Sequence, residues 1–107
     1  MKNLEALIKR FTAIYPAEEN VRSRRFVAAG FQCEYCKSAK LLEHHHILEG
    51  KRRRKPLERF FTTRIICEEC HKMKKDAVLK FRSEVNQELL KDFNEDEVRI
   101  LTGKTKI

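Results

Sequence analysis

The chain has 107 residues, a formal net charge of +8 and four cysteines. A domain this small buries too little surface to be stable without a staple. The opening MKNLEALIKRF has neither the apolar core nor the cleavage site of a signal peptide, and no apolar run reaches the ~20 residues of a membrane span, so neither export nor a membrane partner is expected. The expected location is cytoplasmic, where paired cysteines hold metal more often than each other.

Leu4, Leu7, Ile8, Phe11, Ile14 and Tyr15 recur at three- and four-residue spacing, which predicts a helix over 3–15 with one apolar face, ended by Pro16. A second helix is predicted over about 18–29, with Glu18 and Glu19 in its first turn and Gly30 as left-handed cap. Leu41 to Ile47 and Phe60 to Ile66 read as strands, joined by a long polar loop over 49–59. After Cys67 the stripe of Met73, Ala77, Val78, Phe81, Val85, Leu89 and Phe93 predicts one long helix that breaks near Asn94. Asn94 and Glu97 form a capping-box signature for a last helix through Leu101, stopped by Gly103. The order is α+β, read as one domain: N-terminal helices over 1–30, a ββα unit over 31–76 and a helical extension over 77–107. The apolar stripes of the outer helices serve either as cover for the central unit or as a dimer seam, so monomer and homodimer both stay open.

The excess charge is confined to one segment. Residues 51–82 hold 12 Lys/Arg against 4 Asp/Glu, and the remainder balances. A neutral body with one basic stretch suggests a footprint for a polyanion, most often nucleic acid. Lys51, Arg52, Arg53, Arg54 and Lys55 are the candidate DNA contacts; such groups position a phosphate backbone without reading bases. A solvated basic loop is the plainer alternative.

Cys33-x-x-Cys36 and Cys67-x-x-Cys70 are two knuckles with ligand spacing. Together they can complete a tetrahedral thiolate shell, and structural zinc is the expected occupant. The separation exceeds the usual zinc-ribbon spacing, so an insertion is expected between the knuckles, and the two strands and basic loop fill it. Two disulfides are the alternative in an oxidising compartment. CEECH also fits a haem-attachment pattern, which would leave the other cysteine pair without a purpose.

All four histidines, His44, His45, His46 and His71, lie within the cysteine-bounded unit. Neutral imidazoles are ligands for a divalent ion, and one left uncoordinated is suited to take a proton near neutral pH. With "FQCEYC", "LLEHHHI" and "IICEECHK" in that order and spacing, residues 31 to about 76 resemble the zinc-containing HNH (ββα-metal) endonucleases.

The resemblance implies a ββα-metal fold, a structural zinc on Cys33, Cys36, Cys67 and Cys70, and a separate catalytic divalent ion (Mg²⁺, Mn²⁺, Ni²⁺ or Zn²⁺) on His45 and His71. It also implies that His46 is the general base and that DNA phosphodiester bonds are cut to 5′-phosphate and 3′-hydroxyl ends. His44 stands where the family usually has an apolar residue, so packing or hydrogen bonding is its expected role. In a regular strand His44 and His46 share a face, so His45 joins His46 only if the strand twists or ends there. The family's middle asparagine falls on Thr62, or on Thr63 with a one-residue shift, and a threonine hydroxyl would have to brace the loop instead. A non-catalytic zinc-ribbon nucleic-acid-binding protein is the alternative. Low sequence specificity or a targeting partner protein is expected of so short a chain.

Overall fold

Asn3 starts the first helix. Its Oδ1 accepts the Ala6 N–H at 2.9 Å, satisfying one of the donors that a helix N-terminus leaves open. In the computed structural model, which describes residues 3–50 and 52–103, α1 runs Leu4–Ile14 and buries Leu4, Leu7 and Phe11. The second helix, α2, is shorter than the predicted 18–29 and runs Val21–Ala28. Asn20 before it is left-handed (φ 55°), so Glu18 and Glu19 precede the helix. Glu18 instead accepts the Phe60 N–H at 3.0 Å, a tertiary bond in place of the predicted first-turn position. Gly30, at φ +69°, takes the left-handed turn predicted for it.

Strands β1 (Leu42–His46) and β2 (Thr63–Cys67) pair antiparallel, with His44 opposite Ile65, His45 opposite Arg64 and His46 opposite Thr63. β2 is buried along its whole length. The predicted second strand began at Phe60, but Phe60–Thr62 is a 3-10 turn. The cause is local: Thr62 Oγ1 accepts the Arg59 N–H at 2.8 Å and closes the chain into a turn before the strand can start.

The predicted long helix is two. α3 (Glu68–Lys72) and α4 (Lys75–Leu89) are separated at Met73 and Lys74, and Met73 is 79% exposed instead of joining the stripe. The Cys67 sulfur caps α3, which sets its direction, and α4 turns away to bury Ala77, Phe81, Val85 and Leu89. The last helix matches its prediction. α5 (Glu95–Thr102) has Asn94 and Glu97 bonded reciprocally at 2.9 Å and Gly103 as a left-handed cap.

Both stripes face this chain's own core. Phe11 from α1, Ile66 from β2, Val85 from α4 and Leu101 from α5 belong to one buried cluster. The terminal helices therefore cover the central unit with most of their apolar stripes. Arg10 on α1 reaches the buried Glu97 on α5 at 2.6 Å, tying the two ends of the chain. Among the described residues no helix is long and apolar enough to cross a membrane.

Phe11 is fully buried, stacks with Phe61 and lies under the Arg59 guanidinium. Phe11→Ala should cost about 3–5 kcal/mol, enough to unfold much of so small a protein. Urea titration followed by circular dichroism checks this; a midpoint within experimental error of wild type would contradict the packing described.

Candidate functional site

The four cysteine sulfurs lie within 4.8 Å of one another, and all four are free thiols. Cys36 Sγ and Cys67 Sγ are 3.5 Å apart, close to the edge of about 3.8 Å that a tetrahedral shell of Zn–S bonds would have. The cluster could hold one metal ion. Each knuckle is shaped by its backbone. N–H groups of Tyr35 and Cys36 point at Cys33 Sγ, and that of Cys70 points at Cys67 Sγ. Lys37 closes the first knuckle at φ +70°, a left-handed position that disfavours L side chains. Burial pushes the Cys33 thiol up, but the N–H groups turned on its sulfur outweigh that and bring it down to about 6. Burial, then the neighbouring thiols, hold Cys70 well above the ordinary thiol range. Cys33 is thus poised as thiolate, while burial holds Cys67 and Cys70 above the ordinary thiol range.

The first knuckle is fixed to β2 from the other side. Glu34 N–H donates to Ile65 O at 2.8 Å, and Ile65 N–H donates to Glu34 Oε2 at 2.7 Å. Arg25 from α2 grips the same carboxylate through two bonds. β2 therefore has β1 on one edge and the knuckle on the other.

The histidines separate into two groups. His45 and His71 meet with ring centroids 4.5 Å apart, because α3 follows β2 directly, capped by its last residue, and turns His71 back toward β1. Glu49 completes this group, its Oε1 lying 3.3 Å from His45 Nε2. That nitrogen is buried and makes no hydrogen bond among the described residues. Burial, and then His71, hold the His45 imidazole below its ordinary pKa, which favours the neutral ring that binds metal. His71 Nδ1 lies 3.3 Å from Glu43, which orients the ring.

His46 points the other way with His44, their ring centroids 5.1 Å apart. Its Nε2 is 2.6 Å from Glu58 Oε2. The two groups still share space. β1 ends at His46, and one cleft of about 470 Å³ is lined by His45 and His71 as well as by His44, His46 and Arg54. Of the packing or hydrogen-bonding role expected of it, His44 shows the packing, against His46, while its Nε2 is buried without a hydrogen-bond partner among the described residues.

The basic run divides. Lys51 lies outside the described residues. Arg54 lines the cleft with His45 and His71, and Lys55 lines a neighbouring cleft with His46 and Glu58. Arg52 is exposed, 3.8 Å from Glu5. Arg53 is turned to the end of α5, where its Nε and Nη2 both donate to Ile100 O, at 3.2 and 3.0 Å. The open carbonyls at the end of α5 need donors, and Arg53 supplies them.

Thr62, not Thr63, is the central hydroxyl of the loop. Its Oγ1 donates to Leu57 O at 2.7 Å and accepts the Arg59 N–H at 2.8 Å, while Thr62 O accepts the Ile47 N–H at 3.0 Å. These bonds hold the segment bearing Glu58 against the exit of β1. Glu43, Glu49 and Glu58 are functional candidates that the motif reading missed. Only Glu58 had a visible signal, as the lone acid among residues 51–67.

No protein-family model matches the chain, and neither does any curated protein or solved structure.

Thr62 is 1% exposed, so Thr62→Val keeps its shape and leaves the Arg59 N–H without its acceptor. The expected loss is about 1–3 kcal/mol, read from urea midpoints. An unchanged midpoint would show that the hydroxyl does not brace the loop.

Proposed function

We propose that this chain is a metal-dependent endonuclease of the HNH type that hydrolyses DNA phosphodiester bonds, with structural zinc in the four-cysteine cluster. The observation that carries the reading is the meeting of His45 and His71 across the β1–α3 junction, with a buried, unpartnered ligand nitrogen opening beside His46. Two imidazoles and the Glu49 carboxylate form a donor set suited to a divalent ion, and the orphaned His45 Nε2 fits such an ion. When bound, the ion would supply Lewis-acid stabilisation of the charge that develops on a phosphate oxygen and on the leaving 3′ oxygen.

His46 takes the proton of the attacking water, and Glu58 decides which nitrogen does so. A carboxylate can only accept, so the short contact places the ring proton on Nε2 and leaves the lone pair on Nδ1. Glu58 also stabilises the imidazolium that forms when Nδ1 takes the water proton. Glu58 is therefore a positioning residue, held in place by the bonds of Thr62. By the same resemblance, Thr62 stands for the family's loop-bracing asparagine. Arg54 and Lys55 flank the clefts where a backbone phosphate would lie, and Arg52 extends the positive surface. Their contacts would position the strand without reading its bases.

The test is plasmid cleavage with added magnesium, manganese or nickel, with His46→Ala at matched zinc content and DNA affinity. Wild type should nick in a metal-dependent way, and His46→Ala should lose about 10²- to 10⁴-fold in rate while still binding. Glu58→Gln should lower turnover without lowering DNA affinity. No cleavage with any ion, together with salt-sensitive binding, would favour a non-catalytic nucleic-acid-binding module.

Metal content gives a separate check on the zinc. Protein purified without chelator should hold one tightly bound zinc, lost in Cys67→Ser together with cooperative unfolding. Full thermal stability of metal-free protein would contradict a structural role.

A further inference from the structure

We infer that His44, His46 and Glu58 form a second, inhibitory divalent-metal site, on the opposite face of β1 from His45 and His71. Three observations carry it. The ligand atoms of these three side chains lie within 4.8 Å of one another. His44 Nε2 is buried with no hydrogen-bond partner among the described residues, a state that costs free energy unless something accepts its lone pair or proton. The group also borders a cleft of about 600 Å³, whose rim carries Asn20, Arg22 and Lys55, so an ion has a path in and space for water or an anion as further ligand.

The local structure explains why the three residues meet. Strand alternation puts His44 and His46 on one face. The Thr62 turn brings Glu58 onto that face and seats its Oε2 2.6 Å from His46 Nε2. Ligands at Zn–N and Zn–O distances near 2.0–2.2 Å stand about 3.3 Å apart, so the hydrogen bond opens slightly as the ion enters between its two partners. His44 Nε2 then gains the partner it lacks. Two imidazoles and one carboxylate favour zinc, cobalt and nickel over magnesium.

Occupancy at this site withdraws the proposed base. A neutral His46 that binds an ion through Nε2 carries its ring hydrogen on Nδ1. The tautomer shift releases no net proton, and it removes the lone pair that Nδ1 offers to water. An ion at this face thus arrests the reaction that an ion on His45, Glu49 and His71 supports. The binding claim stands on the geometry alone; the inhibitory consequence rests on the endonuclease reading.

The test counts ions on protein already loaded with structural zinc, by calorimetric titration with cobalt(II). Wild type should take two further equivalents. His44→Leu and His71→Ala should each take one, and the double variant none. A single further equivalent in wild type, or two in His44→Leu, would overturn the second site. Thermal melts establish that His44→Leu folds; if it does not, Glu58→Gln, a neutral isostere, should show loss of the same equivalent. In magnesium-supported cleavage, added zinc should inhibit wild type, and His44→Leu should resist inhibition when each protein is compared with its own rate without zinc. Equal inhibition of both would overturn the regulatory role while leaving the ion count to decide the site. If neither protein cleaves, the endonuclease reading fails and the inhibitory role falls with it; the ion count alone then decides whether the site exists.

Discussion

The position of Cys67 is the constraint on which the rest depends. It is the last residue of β2, its sulfur caps α3, and it joins Cys33, Cys36 and Cys70 in the thiol cluster. A shift there would move the strand, the helix and the cluster together. Because α3 is only five residues long, it has little helical stability of its own. Its direction comes from the cap, and that direction delivers His71 to His45.

β2 links this junction to the remainder of the protein. It is buried throughout, with β1 on one edge and the Glu34 carboxylate and backbone on the other. Arg25 anchors that carboxylate to α2, and the aromatic group of Phe11, Tyr15 and Phe61 anchors the loop to α1. Arg59 crosses the same region, donating to Tyr15 O while its guanidinium lies over Phe11. The outer helices thus fix the loop that carries Glu58 and Thr62. A short hairpin with a long connection would otherwise be only marginally ordered.

One strand presents different chemistry on its two faces. His45, with Glu49 and His71, offers a cation a donor set with an open nitrogen. His46 has a Glu58 carboxylate oxygen 2.6 Å from its Nε2. The strand ends at His46, which lets one cleft reach both groups. Positive charge near the clefts comes from Arg54 and Lys55, while Arg53 braces the end of α5.

The amino-acid order by itself determined the α+β succession, the outer helices and the last capping box, because these follow from three- and four-residue spacing and from short-range side-chain caps. It also placed the cysteine knuckles and the histidines within one segment. It did not determine the break at Met73, the 3-10 turn at Phe60, or the separate duties of Arg53 and Arg54. The break depends on where Cys67 and the core send α4, and Arg53 depends on Ile100, while the turn is local, set by the Thr62 hydroxyl bonding to Leu57 and Arg59 in a stretch whose residue types read as strand. Only the tertiary structure decided that Glu58 belongs to His46 and Glu49 to His45. No periodicity records which carboxylate a loop will carry to a strand, since that is set by the path of the backbone between them.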